Sequence, residues 1–197
     1  MAYDSKKIAG LLLFVGGVQC FLGIIVAETL YPGYSTSQNW ISDLGVGPSA
    51  LIFNSSVFLL GLIGFAMAAI YIHRIFKSRL FSALVAMAAI GAMGVGVFTE
   101  DFGVLHTIFS VIVFTFAGIS AIASYKFQRA PLSYVSVVLG LTSILALVLT
   151  ALGIDLGLGQ GGMERMIAYP SLLWVVGFGA FLIGDSDSTS GKNKSKF

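Results

Sequence analysis

The sequence predicts an all-α membrane protein: a polytopic six-helix bundle with a short interfacial helix in its first outer loop. Three observations support this. Of 197 residues, 57% are hydrophobic and 10% charged, with a mean hydropathy of +0.94. A water-soluble domain carries about 25% charged residues, because its surface faces water. The apolar residues also fall into six runs of about 20 residues, the length that crosses a ~30 Å hydrocarbon core as helix. Finally, Lys and Arg fill alternate connections between those runs, as short cytoplasmic loops do.

The six segments are about Ile8–Ala27, Leu51–Ile72, Leu80–Phe98, Val104–Ser124, Leu132–Ile154 and Met166–Gly184. A β-barrel would need alternating segments of roughly 10 residues, and none is present. The first run follows Lys6 and Lys7 as a signal peptide would. It is longer than a usual signal core and lacks a clear small-x-small cleavage site, so it reads as a retained span. Residues 1–184 are expected to form one transmembrane domain, and residues 185–197, rich in Ser, Lys and Gly, a disordered cytoplasmic tail.

With both termini inside, the cytoplasmic segments hold Lys6, Lys7, Arg74, Lys77, Arg79, Lys126, Arg129, Lys192, Lys194 and Lys196. Arg165 alone falls outside. Glu28, Asp43, Glu100, Asp101, Asp155 and Glu164 lie at the outer ends. This partition implies a protein integral to the membrane, the cell membrane being the expected one, with cytoplasmic N- and C-termini. A net charge of +2 is too small to suggest nucleic acid; membrane lipids are the expected partners. Cys20 lies within a span and permits no intrachain disulfide, so it reads as a small packing residue. Small residues at helical spacing, Ala88, Ala92 and Gly96 in span three and Gly177, Ala180 and Gly184 in span six, are candidate helix contacts.

Polar chemistry gathers at the outer side. The first outer loop contains Ser35-Thr36-Ser37-Gln38-Asn39-Trp40-Ile41-Ser42-Asp43-Leu44-Gly45. A Ser or Thr can cap a short helix here and Gly45 can end it. Trp40, Ile41 and Leu44 would face the lipid boundary, and Asn39, Ser42 or Asp43 the bundle's mouth. An ordinary interfacial anchor fits the same residues. Spans two, four and six begin on this side, and helix N-termini attract anions. Asn54, Glu100, Asp101, His106, Glu164 and Arg165 decorate those ends. Together they suit a phosphate or carboxylate head group, with Arg165 as its clamp. Equally, Asp101 and Glu164 suit helix capping and Arg165 suits pairing with a nearby carboxylate.

His106 lies about one turn inside span four, with Ser110 one turn deeper. An ionisable residue inside a span is a functional candidate. It suits a general base for Ser42 or water, oriented by Asp43 or Asp101, or an interhelical hydrogen bond. His106, Asp43 and Ser42 are thus the candidate catalytic residues. Asn39, Asn54, Asp101, Glu164 and Arg165 are the candidate ligand-binding ones. No metal site is singled out: His73 and His106 fall at opposite faces, which disfavours a histidine-ligated zinc, while Asp43, Glu100, Asp101 or Asp155 offer the oxygen ligands that a hard cation would take. The carboxylates show no EF-hand spacing. No cofactor is indicated. The glycine-rich Asp155–Arg165 connection is expected to fold back tightly against the bundle. Pro170 is expected to kink span six, and Gln19 to hydrogen-bond between helices.

Asn39-Trp40-Ile41-Ser42-Asp43-Leu44-Gly45, Asn54, His106 and Gly161-Gly162-Met163-Glu164-Arg165 resemble a prokaryotic family of small six-span proteins known only as a domain of unknown function. Ile41-Ser42-Asp43 and His106 are more distantly similar to the Frag and damage-regulated autophagy modulator group. One branch of that group takes part in lipid remodelling of glycosylphosphatidylinositol anchors. The resemblance implies six spans, an outer polar site and a lipid ligand. The leading expectation is recognition of a lipid or lipid-linked head group at the outer face, with hydrolase or transferase activity. The alternatives are a non-enzymatic lipid-binding or assembly scaffold and a small-solute transporter, the last disfavoured by the few ionisable groups near the midplane.

Overall fold

Long apolar runs become helices in lipid because a helix satisfies its backbone N–H and C=O groups within its own segment. The computed structural model describes residues 4–194. Among them, six helices contain stretches long and apolar enough to cross a membrane. They are α1 (Ser5–Leu30), α2 (Ala50–Phe76), α3 (Arg79–Val97), α4 (Val104–Phe127), α5 (Leu132–Ala151) and α6 (Gly159–Lys194). Successive helices run up and down and pack on their chain neighbours, and α6 packs back on α1 to close the ring. Both termini therefore sit at one end. The connections α1–α2, α3–α4 and α5–α6 lie at the other, called here the distal end.

The sequence predicts a disordered tail from Asp185. Instead α6 continues as helix to Lys194. The reason lies in its contacts with the chain's start. Asp185 pairs with Lys6 and, at 3.1 Å, with Arg129. The Ser186 hydroxyl donates to Asp4. The remainder of the expected tail, residues 195–197, lies outside the described residues.

Close helix approach comes from small residues, though not always those whose spacing suggests it. Ala88 and Ala92 of α3 are fully buried. A Cβ on Gly96 would lie 2.7 Å from the Asn54 carbonyl oxygen of α2. The stripe Gly177, Ala180 and Gly184 behaves differently: Ala180 and Gly184 are exposed, and nothing stands within 4 Å of a Cβ on Gly177 or Gly184. The contact with α1 uses Gly179 instead, where a Cβ would meet the Gly10 carbonyl oxygen at 2.7 Å. Periodicity identified a small face on α6 but not the one turned inward. Gln19 joins α1 to α2 as expected, its amide donating to the Ser56 carbonyl at 2.9 Å.

Two departures from regular helix shape the interior. Leu60–Met67 within α2 is wound as π-helix, a widening often found near functional sites. It carries Leu60 and Phe65, which line a central cavity. In α6, Pro170 lies inside the helix and cannot donate to the carbonyl one turn back. Beside this break, Ser143 of α5 donates to the Ile167 carbonyl at 2.7 Å and lies 3.0 Å from the Ser171 hydroxyl. These bonds secure α5, which contributes no buried side chain to the main core cluster. Its Ala146 joins Met163 and Ile167 in a smaller one.

Candidate functional site

The first distal loop, which joins α1 to α2, folds inward. Its short helix is a 3-10 turn over Ser42–Gly45. Ile41 is 4% exposed and Leu44 fully buried. The side expected to face the lipid boundary therefore packs into the bundle. Apolar burial of this kind contributes roughly 1.5–3 kcal/mol for each large side chain, and it adds to the hydrogen bonds described below in offsetting the backbone entropy of the loop. The α6 start presses on the same loop. Gly159 adopts φ +71, and a Cβ on Gly161 would stand 2.0 Å from the Asn39 carbonyl oxygen. The Gly161 amide donates to the Ser37 carbonyl at 3.0 Å. The glycine-rich connection folds back as expected, and its target is this loop's backbone.

Arg165 fastens the arrangement. Its guanidinium donates to the carbonyls of Thr36 at 2.8 Å and Gly161 at 2.9 Å, to the Tyr34 hydroxyl at 2.9 Å, and to the Glu28 carboxylate. Tyr34 in turn donates to the Trp40 carbonyl at 2.9 Å, and burial pushes its phenol up to about 12. Arg165 is thus the rivet joining α1, the first distal loop and α6. An anion-clamp role is not what its geometry serves: its donors already have protein acceptors.

The ligand candidates divide accordingly. Asn54 donates to the Gly45 carbonyl at 2.9 Å and lines a separate groove between α2 and α3. Asp101 is exposed in the turn Glu100–Phe102 and lines neither cavity described below. Asn39 donates to the Asp43 carboxylate at 2.8 Å while its own oxygen accepts from the Ser35 amide at 3.0 Å. It is a brace for the loop. Asp43 reaches across to the second distal loop and shares a hydrogen bond with the Glu100 carboxyl. Glu164, at the start of α6, accepts from the backbone amides of Ile41 and Ser42. It caps another segment's backbone and not its own helix.

What the structure brings together is Ser42, His106 and Glu164. Along with Ser110 and Phe114 they line both of two adjoining cavities. The inner one, about 70 Å³, lies among α1, α2, α3, α4 and α6 and is otherwise largely apolar. The other is a cleft of about 580 Å³ bounded by Trp40, Glu100, α4, α5 and α6. Helices α4 and α5 touch at Gly118 and Gly140, where a Cβ on Gly140 would lie 2.5 Å from the Gly118 carbonyl oxygen. Towards the distal end they part around the cleft, and Thr107, Val111 and Ala151 on its walls are exposed. In a membrane this side faces lipid.

His106 is 7% exposed, and its Nδ1 lies 2.8 Å from the Phe98 carbonyl oxygen. A carbonyl only accepts, so Nδ1 carries the proton and Nε2 of the neutral ring is left as an acceptor. Glu100 and Thr150 are the contributors that spacing did not single out as site residues. Glu100 reads in sequence as one acid among several at helix ends. Thr150 had only a faint signal: it shares a helical face with Ser143 and Leu147, on a span that also carries Ser133, Ser136 and Thr142.

The Asp43–Glu100 pair also carries a pH signature. Burial, the hydrogen bond with Asp43, and the charges of Asp43 and Asp101 push the Glu100 carboxyl up to about 7, from an ordinary 4.5. The native state then binds more protons than the unfolded chain in that interval. The stability this group contributes is full below the lower value and is lost as pH rises through the upper one. Glu100→Gln retains a donor for Asp43 but cannot ionise. Its melting temperature is therefore expected to fall less than the wild type's between about pH 5 and about pH 8. An equal fall, measured by thermal denaturation in detergent, contradicts the pairing.

Six apolar spans with a polar cleft at one end define a polytopic helical membrane protein. The chain belongs to the DUF998 family, described as "Protein of unknown function (DUF998)", whose model matches residues 14–180. No curated protein and no solved structure matches the chain.

Proposed function

We propose that this protein recognises a membrane amphiphile, a lipid or lipid-linked molecule, in the distal cleft, with the chain apolar and the head polar. The observation that carries this reading is the cleft's position and two-sided lining. One wall is open between α4 and α5, where Val111 and Leu147 offer an apolar path. The inner end presents Ser42, Glu100, His106 and Glu164. Ligand sites are mostly apolar, with a few polar groups converging to fix orientation. The distribution of Lys and Arg supports an outward-facing distal end, with cytoplasmic termini in the cell membrane.

A long-chain primary alcohol bearing a diazirine near its terminal carbon tests this in nanodiscs. Photolabelling is expected to concentrate on the peptides of α4 and α5 that face the cleft. Ser110→Trp, which places a bulky ring where the two cavities adjoin, is expected to lower that labelling severalfold while the fold persists. Labelling spread evenly over the lipid-facing surface, unchanged by the substitution, overturns the reading.

Turnover of the bound molecule, as by a hydrolase or transferase, is a second reading favoured by one observation: His106 is buried in the cleft with Nδ1 already engaged, leaving Nε2 as a general base beside the Ser42 side chain's cavity. His106→Ala abolishing turnover while photolabelling survives supports it. Turnover unchanged by His106→Ala removes it.

A further inference from the structure

The side chains at the polar end of the cleft offer more acceptor than donor capacity: the Glu164 and Glu100 carboxyls, the His106 ring and the Ser42 hydroxyl, against the single indole N–H of Trp40. Glu164 accepts two backbone amides, and a carboxyl has acceptor positions beyond two, so it retains capacity, and an arriving cation would favour its ionised form. Glu100 faces the cleft with Asp43 behind it. His106 turns its protonated nitrogen away to Phe98, leaving Nε2 to accept. Ser42 is 9% exposed and lines both cavities, so its hydroxyl is available to a molecule that enters them. No Lys or Arg lines either cavity, and the adjacent Arg165 is committed to four protein acceptors.

From this donor–acceptor balance we infer that the cleft receives a primary ammonium group, carried as the head of the amphiphile. The inference rests on the amphiphile-binding reading above. A primary ammonium brings three N–H donors and a positive charge, matching Glu164, the His106 Nε2 and the hydroxyl of Ser42 or the Glu100 carboxyl. An anionic head would meet carboxylates with no cation to offset them. A quaternary ammonium brings charge without donors and depends on a cage of several aromatic faces; Trp40 and Phe114 are the cleft's Phe, Tyr and Trp side chains, and such a head would leave the hydrogen-bond acceptors unused. A neutral polyol leaves the carboxylate charge unanswered.

The test is competition against the diazirine alcohol, in nanodiscs, by dodecylamine, dodecyltrimethylammonium, dodecyl maltoside and dodecyl sulfate. Dodecylamine is expected to displace the probe at a concentration roughly tenfold or more below the other three, the scale of a charge-assisted hydrogen bond. Glu164→Gln is expected to erase that preference while the alcohol still labels the cleft. Dodecyl sulfate competing as well as the amine, or an unchanged preference in Glu164→Gln, overturns the head-group assignment while leaving amphiphile binding intact. Dodecyl maltoside or the trimethylammonium equalling the amine also overturns it. Failure of the alcohol to label the cleft in the wild type removes the underlying reading, and this inference with it.

Discussion

Replacing Arg165 by Gln is expected to destabilise the protein by about 3–5 kcal/mol, the range for breaking a buried ion pair from one side. The guanidinium's partners come from three separate places: Glu28 at the end of α1, Tyr34 and Thr36 in the first distal loop, and Gly161 in α6. The two ionised side chains are only 11% and 19% exposed, so water does not readily replace a lost partner. Removing the cation leaves the Glu28 carboxylate buried and unpaired. Two backbone carbonyls and a phenol lose their donor with it. Thermal denaturation in detergent reads the loss, and Glu28→Gln added to Arg165→Gln is expected to recover part of it. A melting temperature unchanged by Arg165→Gln contradicts the rivet role and returns the guanidinium to the pool of groups available to a ligand.

Gly161→Ala is expected to be nearly as damaging, at or beyond the upper end of the ~1–3 kcal/mol usual for overpacking. The added methyl would stand 2.0 Å from the Asn39 carbonyl oxygen and 2.7 Å from that of Thr36. Both obstacles are backbone, so no rotamer change relieves the clash; the loop or the first turn of α6 must move. Either movement disturbs the Glu164 bonds to Ile41 and Ser42. Gly162→Ala is a milder control: its new methyl would closely meet only the Leu158 Cβ, at 2.8 Å, on an exposed residue of the connection before α6, which can yield more readily than the packed loop backbone. Comparable losses in the two variants, measured by the same denaturation, contradict the close backbone approach.

These two residues show where reading the sequence succeeds and where it stops. Span number and helical class follow from hydropathy over whole segments, a signal that no single contact can reverse. The inward turn of Ile41 and Leu44 is different. An apolar stripe on a short loop helix suits lipid and protein equally, and only the depth of the space above the bundle decides between them. Arg165 misleads for a related reason. As the lone cation among distal acids it attracts a ligand reading, but Glu28 lies 137 positions away, and their pairing depends on α6 closing against α1. His106, Ser42 and Glu164 do meet, because a distal loop and two helix starts converge at one end of the ring. The cleft beside them depends on α5 parting from α4, which leaves only a faint trace in the spacing of Ser143, Leu147 and Thr150.

A structure determined in a lipid bilayer tests the cleft most directly. Elongated density is expected between α4 and α5, its polar end against Ser42, His106 and Glu164 and its chain running past Val111 and Leu147. Direct packing of α4 on α5 along that whole length, with Glu164 and His106 bonded to each other and no space between them for a ligand, would mean that the distal end is simply a closed cap.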